Sequence, residues 1–217
     1  MRERFFLLLI AVCLSSYLPF LSGGWLTDDF VQLTNVQNEK QLLAAILTPS
    51  SFHFYRPIPQ VTLWVEAHFF RAGPVAYRAV NWLLHGVVVW CVYVLARMVL
   101  TSRRAASLAT LAFTLTPKAS PIAVLWVSAR PELLMSLFSL ASMIFWLRWN
   151  RTVRLQWLLG ACACYAAALL SKETAVLLPV LLLLAPHGGT PYNKRCWYAA
   201  AAMTASRRGT TSRRSTS

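Results

Sequence analysis

Apolar residues along this chain come in long runs separated by short basic clusters. The first run, Phe5–Leu21, is entered through Arg2 and Arg4. Val80–Leu100 is the second, closed by Arg97, Arg103 and Arg104. Ala105–Thr116 continues into the proline-interrupted stretch Pro117–Val127 as a third. Glu132–Leu147 is a fourth, followed by Arg148, Arg151 and Arg154; Leu155–Leu170 is a fifth and Thr174–Leu184 a short sixth. A helix needs about 20 apolar residues to cross a bilayer, so the pattern predicts an all-α, polytopic transmembrane helical bundle of about six spans. The stretch after the first run, Pro19–Trp25, is a poor small-x-small cleavage site, so that run reads as an uncleaved first helix rather than a signal peptide.

Residues 25–79 are more polar and form a long first outer loop. They hold Asp28-Asp29, an expected amphipathic helix over Glu39–Leu47, and a Pro-rich turn at Tyr55–Pro59. Val61–Phe70 carries Glu66 and His68; at about ten residues it is too short to span and is expected at the membrane interface.

Charge fixes the direction of the bundle. With the N-terminus inside and the spans alternating, Arg2/Arg4, Arg97/Arg103/Arg104, Arg148/Arg151/Arg154 and Lys194/Arg195 all fall inside, as the positive-inside rule asks. Every acidic residue except Glu3 (Asp28, Asp29, Glu39, Glu66, Glu132, Glu173) then falls outside, although arginine placement alone set the parity.

Composition agrees: 57% of residues are hydrophobic and 13% charged, which is the composition of a membrane protein. The net charge of +14 sits in loops, with no basic face interleaved with aromatics, so no nucleic-acid partner is expected. Cys13, Cys91, Cys162 and Cys164 lie in apolar segments, and the C-x-C spacing of the last two points them to different helix faces. Neither a disulfide framework nor a zinc site follows. His53, His68, His85 and His187 lack metal-ligand spacing. The expected division is a transmembrane domain over 1–190 and a basic low-complexity tail over 191–217. Trp197–Met203 reads as a seventh span cut short, which predicts a truncated or frameshifted reading frame, a genuine basic tail being the alternative.

Candidate chemistry gathers on the outer side. Adjacent carboxylates repel, so one of Asp28 and Asp29 is poised to accept a proton from a sugar or peptide hydroxyl. The pair could also hold a divalent cation, or simply cap a helix. Arg56 precedes the stiff Pro57; Asn81 and His85 share a helix face at i, i+4; Arg130 and Glu132 bracket Pro131; Lys172-Glu173 sits between two apolar runs. Ionisable residues at such boundaries are functional candidates, although each alone also serves as an interface anchor. Together they offer cations for a lipid phosphate (Arg56, Arg130, Lys172) and carboxylates to activate an acceptor.

The order of these motifs resembles a family. Asp28-Asp29, Tyr55-Arg56-Pro57-Ile58, Tyr77 to His85 (YRAVNWLLH), Ala129 to Leu134 (ARPELL) and Ser171-Lys172-Glu173-Thr174 look like the polytopic GT-C glycosyltransferases. The nearest resemblance is to the protein O-mannosyltransferase-like branch whose larger members carry tetratricopeptide repeats, over about residues 1–190. The resemblance implies inverting transfer of a sugar from a polyprenyl-phosphate-linked donor to a protein or glycan acceptor. It implies a catalytic base at Asp28 or Asp29 and donor-phosphate contacts at Arg56, Arg130 and Lys172. Some GT-C members take a divalent cation and others none, so a metal cofactor stays open. Two features depart from the family pattern. Its His-Pro-x-His-x-Glu stretch appears only as Thr116-Pro117-Lys118-Ala119-Ser120-Pro121, and the spans are fewer, without repeats.

The expected location is the inner, cytoplasmic membrane of a bacterium, N-terminus cytoplasmic and active face periplasmic, the compact loops favouring that over the ER. A transporter or lipid flippase is the alternative of a different class. It calls for charges at mid-membrane and internal repeats, neither of which the pattern offers. A non-catalytic membrane protein is the third reading, consistent with an incomplete bundle.

Overall fold

The computed structural model describes residues 2–38, 47, 54–70, 73–116 and 124–184. The helix expected over Glu39–Leu47 lies, but for Leu47, outside these residues, as do residues 117–123 and the tail. Among the described residues every regular element is helical. In chain order these are α1 (Arg2–Ser15), α2 (Thr27–Asn38), α3 (Pro57–Phe70), α4 (Pro74–Val99), α5 (Arg103–Thr114), α6 (Arg130–Thr152), α7 (Leu155–Ser171) and α8 (Leu178–Leu184). Short 3-10 turns cover Leu18–Ser22, Val127–Ala129 and Glu173–Leu177.

Two helical stretches are long and apolar enough to cross a membrane, Pro74–Val99 and Val127–Thr152. At ~1.5 Å per residue their 26 residues reach about 39 Å, more than the ~30 Å hydrocarbon core. Leu7–Ser22, Leu155–Ser171 and Glu173–Leu182 are apolar but shorter. The second and fourth predicted spans thus stand at full length, and the count of six rests on the shorter helices.

The packing order in space is α1, α5, α4, α6, α7, each helix lying against the next. Side-chain bonds at both ends fix the directions. Arg130 at the start of α6 reaches Tyr77 and Asn81 at the start of α4, and Arg151 near the end of α6 donates to Met98 O at the end of α4. These two helices therefore run parallel, and α7 runs back to bring Lys172 beside Glu132. The carboxylates Asp28, Asp29, Glu66, Glu132 and Glu173 gather at one end, where Arg56, Arg78, Arg130 and Lys172 also lie, while Arg97, Arg103, Arg148 and Arg151 stand at the other end.

The bundle buries polar side chains among its apolar ones and exposes many large apolar ones. On α4 the buried face carries Tyr77, Arg78, Asn81 and His85, whereas Leu83, Val87 and Trp90 are exposed. On α5 the buried face is Ala106, Ser107, Thr110 and Thr114. Each of its hydroxyls donates to the carbonyl four residues earlier, at 3.1, 2.9 and 2.8 Å, so none is left unsatisfied against its neighbours. Small residues also set the contact of α6 and α7. Ser142 donates to Ala161 O at 2.9 Å, and a side chain at Gly160 would come 3.1 Å from the Phe145 ring. The turn between these helices places Val153 in the left-handed region at φ 54°.

The first outer loop is a folded cap over the acidic end. Leu33 and Val36 of α2, Leu63 and Ala67 of α3, Tyr77 of α4 and Val127 form its apolar core. The Pro-rich turn expected at Tyr55–Pro59 is instead the start of α3. Pro57 occupies its first position, where the missing N–H costs nothing, and the first helical bond runs from Gln60 N to Arg56 O. Pro74 opens α4 in the same way. Helix α3 buries Leu63, Glu66 and Ala67 and exposes Val65 and Phe69.

Candidate functional site

A cavity of about 300 Å3 opens at the acidic end between the cap and the bundle. Asp28 and Gln32 of α2, Arg56 before α3, the Trp126–Ala129 turn, Glu132 of α6 and Lys172 after α7 all contribute to its wall. Four segments distant in sequence thus converge, and four of the predicted site residues line one space.

The two aspartates have different environments. Asp29 is fully buried, and its Oδ1 accepts from Ser128 N at 2.8 Å and Ser128 Oγ at 2.9 Å. Its Oδ2 accepts from Leu26 N at 3.2 Å, the reach-back of a third helical residue to the residue before the helix. Asp29 therefore caps α2 and ties it to the Val127–Ala129 turn. Asp28, one residue earlier, is half-buried, lines the cavity and has no hydrogen-bond or ion-pair partner among the described residues.

The cations divide likewise. Arg130 is fully buried and points into the bundle, where Nη1 and Nη2 donate to the two Glu66 carboxylate oxygens at 2.5 and 3.1 Å. It also donates to Tyr77 O at 3.2 Å and, through Nε, to Asn81 Oδ1. Asn81 in turn donates to Trp126 O at 3.2 Å. A buried guanidinium is tolerable only when its charge and donors are matched in this way. Arg130 and Asn81 thus hold the cavity's Trp126–Ala129 wall from behind. His85 lies one turn deeper, buried between the rings of Tyr17 and Phe113 with centroids 6.5 Å away; it does not line the cavity.

Arg56 and Lys172 face the cavity, each held by a carboxylate. Arg56 Nε and Nη2 donate to Glu173 at 3.0 and 2.6 Å in a fork, with the guanidinium 4.3 Å above the Phe54 ring. Lys172 pairs with Glu132. The hydrogen bond from Arg56, which is the largest cause, together with the nearby positive charges holds the Glu173 carboxyl below its ordinary pKa.

Arg78, Glu66 and Ser128 were not among the site residues that the sequence suggested. Arg78 donates to Leu125 O at 2.8 Å, to Gly23 O at 2.5 Å and to Gly24 O, and so fastens the chain leading into α2. A Cβ on Gly23 would come 3.0 Å from Arg78 Nη1, so a side chain there would press on the guanidinium. The available signal was an ionisable side chain inside an apolar or boundary segment, which needs a partner wherever it is buried. Among the described residues no three His, Cys, Asp or Glu side chains come together as metal ligands, and the four described cysteines are free thiols.

The described residues form a helical bundle, two of whose stretches are long and apolar enough to cross a membrane, with a charged cavity at one end. The model of the dolichyl-phosphate-mannose-protein mannosyltransferase family matches residues 57–206, and the chain belongs to that family. A protein O-mannosyl-transferase of Caenorhabditis elegans is 26% identical over 197 residues, 83% of this chain and 28% of the relative. The chain therefore spans little more than a quarter of that relative's length. No solved structure matches it. The resemblance drawn from the ordered motifs is borne out at the level of the family. Asn81, His85, Arg130, Glu132, Lys172 and Glu173 fall inside the matched residues, whereas Asp28, Asp29 and Arg56 precede them.

Proposed function

We propose that this chain forms the reacting end of an inverting glycosyltransferase that moves a sugar from a polyprenyl-phosphate-linked donor to an acceptor hydroxyl. Mannose and a protein acceptor are the sugar and acceptor named for the family and the relative. One observation carries the reading: the unpartnered carboxylate of Asp28 and the cations Arg56 and Lys172 line the same cavity. In this reading Asp28 accepts the acceptor's hydroxyl proton as its oxygen attacks the sugar C1. The bond from C1 to the phosphate oxygen breaks on the opposite side, and Arg56 and Lys172 stabilise the charge that the departing phosphate keeps. Asp29, Asn81 and Arg130 position the walls rather than touch the reactants. The acidic end then lies at the outer membrane face and the arginine-rich end at the cytoplasmic face, with the shorter apolar helices completing about six spans as the charge segregation favours.

The test compares Asp28→Asn, Asp29→Asn and the unaltered chain in membranes, following transfer of radiolabelled sugar from polyprenyl phosphate. The expected result is loss of transfer by ~100-fold or more for Asp28→Asn, the size of a general-base contribution, with the protein still folded. Full transfer by Asp28→Asn would sink the base assignment.

A further inference from the structure

The two cavity cations are not free to meet an anion as they stand. Asp28, Arg56, Glu132 and Lys172 line the cavity, and Glu173 is paired with Arg56, so two positive groups stand among three carboxylates. A phosphate entering this ring meets a net negative site, which opposes its binding. Yet Arg56 and Lys172 have side chains only 18% exposed, while Glu173 and Glu132 are 57% and 53% exposed. The cations are therefore held at the cavity, and the carboxylates are the more exposed members of both pairs.

Local backbone explains how both pairs form at once. Lys172 is extended, at φ −160° and ψ 137°, between the end of α7 and the 3-10 turn Glu173–Leu177. Successive residues of an extended segment point to opposite sides. Lys172 thus reaches Glu132 on α6, while Glu173 reaches Arg56 before α3. The forked contact of Glu173 on Arg56, through Nε and Nη2, is the contact a phosphate makes with a guanidinium. On the other side Arg56 is backed by the Phe54 ring, so loss of the carboxylate leaves the guanidinium in place, facing the cavity.

We propose that Glu173 and Glu132 are placeholders for the donor's phosphate oxygens. In the empty site they keep Arg56 and Lys172 oriented and neutralised. When the lipid phosphate enters, both carboxylates swing into water and the phosphate takes their positions, leaving two cations and Asp28 around it. Donor binding is an exchange of anions, and the two glutamates raise the threshold an anion must meet to occupy the site. The inference rests on the reading of Arg56 and Lys172 as phosphate-binding residues.

The test measures binding of a fluorescent polyprenyl monophosphate to the full chain in phosphatidylcholine nanodiscs, with the uncharged polyprenol and inorganic phosphate as competitors. Arg56→Gln and Lys172→Gln test the phosphate site itself and should weaken binding about tenfold, as loss of a charge-assisted contact does. Glu132→Gln and Glu173→Gln should each tighten it by about two- to fivefold, the range of partly exposed ion pairs, and the double variant by roughly the product. Unchanged binding in both cation variants would overturn the phosphate site as well as the exchange. Weakened binding in the cation variants together with weakened or unchanged binding in the glutamate variants would overturn the exchange alone, making the carboxylates supports for the cations. Displacement of the probe by inorganic phosphate at its own concentration would assign the site to a free anion and overturn the lipid reading. Thermal melting of each variant separates these outcomes from unfolding; the two glutamate substitutions are near-isosteric at exposed positions.

Discussion

Arg130 and Glu66, 64 residues apart in the chain, form a two-pronged ion pair sealed between α3 and α6, with side chains 0% and 7% exposed. This pair joins the cap to the transmembrane bundle, because Arg130 also holds Tyr77 and Asn81 on α4. The position of the cavity wall depends on it.

Glu66→Ala is therefore expected to destabilise the protein by about 3–5 kcal/mol, since it leaves a buried guanidinium uncompensated. Glu66→Leu combined with Arg130→Met should recover part of that loss by removing both charges, though it orphans Asn81 Oδ1. Thermal or denaturant unfolding in a fixed detergent measures both, and an unperturbed Glu66→Ala protein would refute the structural role.

The two aspartates should separate in a stability measurement as well as in transfer. Asp29→Ala removes the acceptor of two N–H groups and one hydroxyl, at an expected cost of about 1–3 kcal/mol. Asp28→Ala, with no such partners, should stay within about 0.5 kcal/mol of the unaltered chain. Equal losses would mean that Asp28 has a structural role too.

Val153 terminates α6 in the left-handed region, where its N–H bonds to Trp149 O at 2.7 Å. A β-branched side chain is unfavourable there by about 1–2 kcal/mol. Val153→Gly should relieve this strain and, after the greater entropy of unfolded glycine, raise stability by about 0.5–1 kcal/mol. A lower unfolding temperature would show that Val153 makes compensating contacts.

Glu173 makes stability depend on acid. Its folded pKa is held below the ordinary value by Arg56, so its contribution is fully present above the unfolded pKa of ~4.3 and is lost as pH falls through the lowered folded value. The contribution is small because the carboxylate is exposed. Glu173→Gln should remove this part of the acid-side slope of an unfolding curve. An identical slope in the variant would assign the slope to other carboxylates.

The helical class, the strong spans at α4 and α6, and the division of acidic from basic ends were legible in the sequence, because hydropathy and charge act residue by residue. The more polar character of the segment between α1 and α4 was legible as well, but its folding into helices was not. Pro57 read as part of a turn because a proline run marks both a turn and a helix start, and only the packing of Leu63 and Ala67 on α2 and α4 decides between them. His85 shares a helix face with Asn81 in the sequence, yet one further turn of helix takes it below the cavity.

By itself the sequence placed Asp28, Arg56, Glu132, Lys172 and Glu173 together at one end of the spans, since each flanks an apolar run. Tertiary structure alone decided which of the neighbouring charges face the cavity. Asp28 and Asp29 are adjacent and chemically alike, but α2 turns one toward Ser128 and the other toward open space. Arg56, Arg130 and Lys172 were equal candidates for the lipid phosphate, but burial gave Arg130 to Glu66 and left the other two at the cavity. A charge removed from water must be matched by whatever the fold brings beside it, and those partners lie dozens of residues away in the chain.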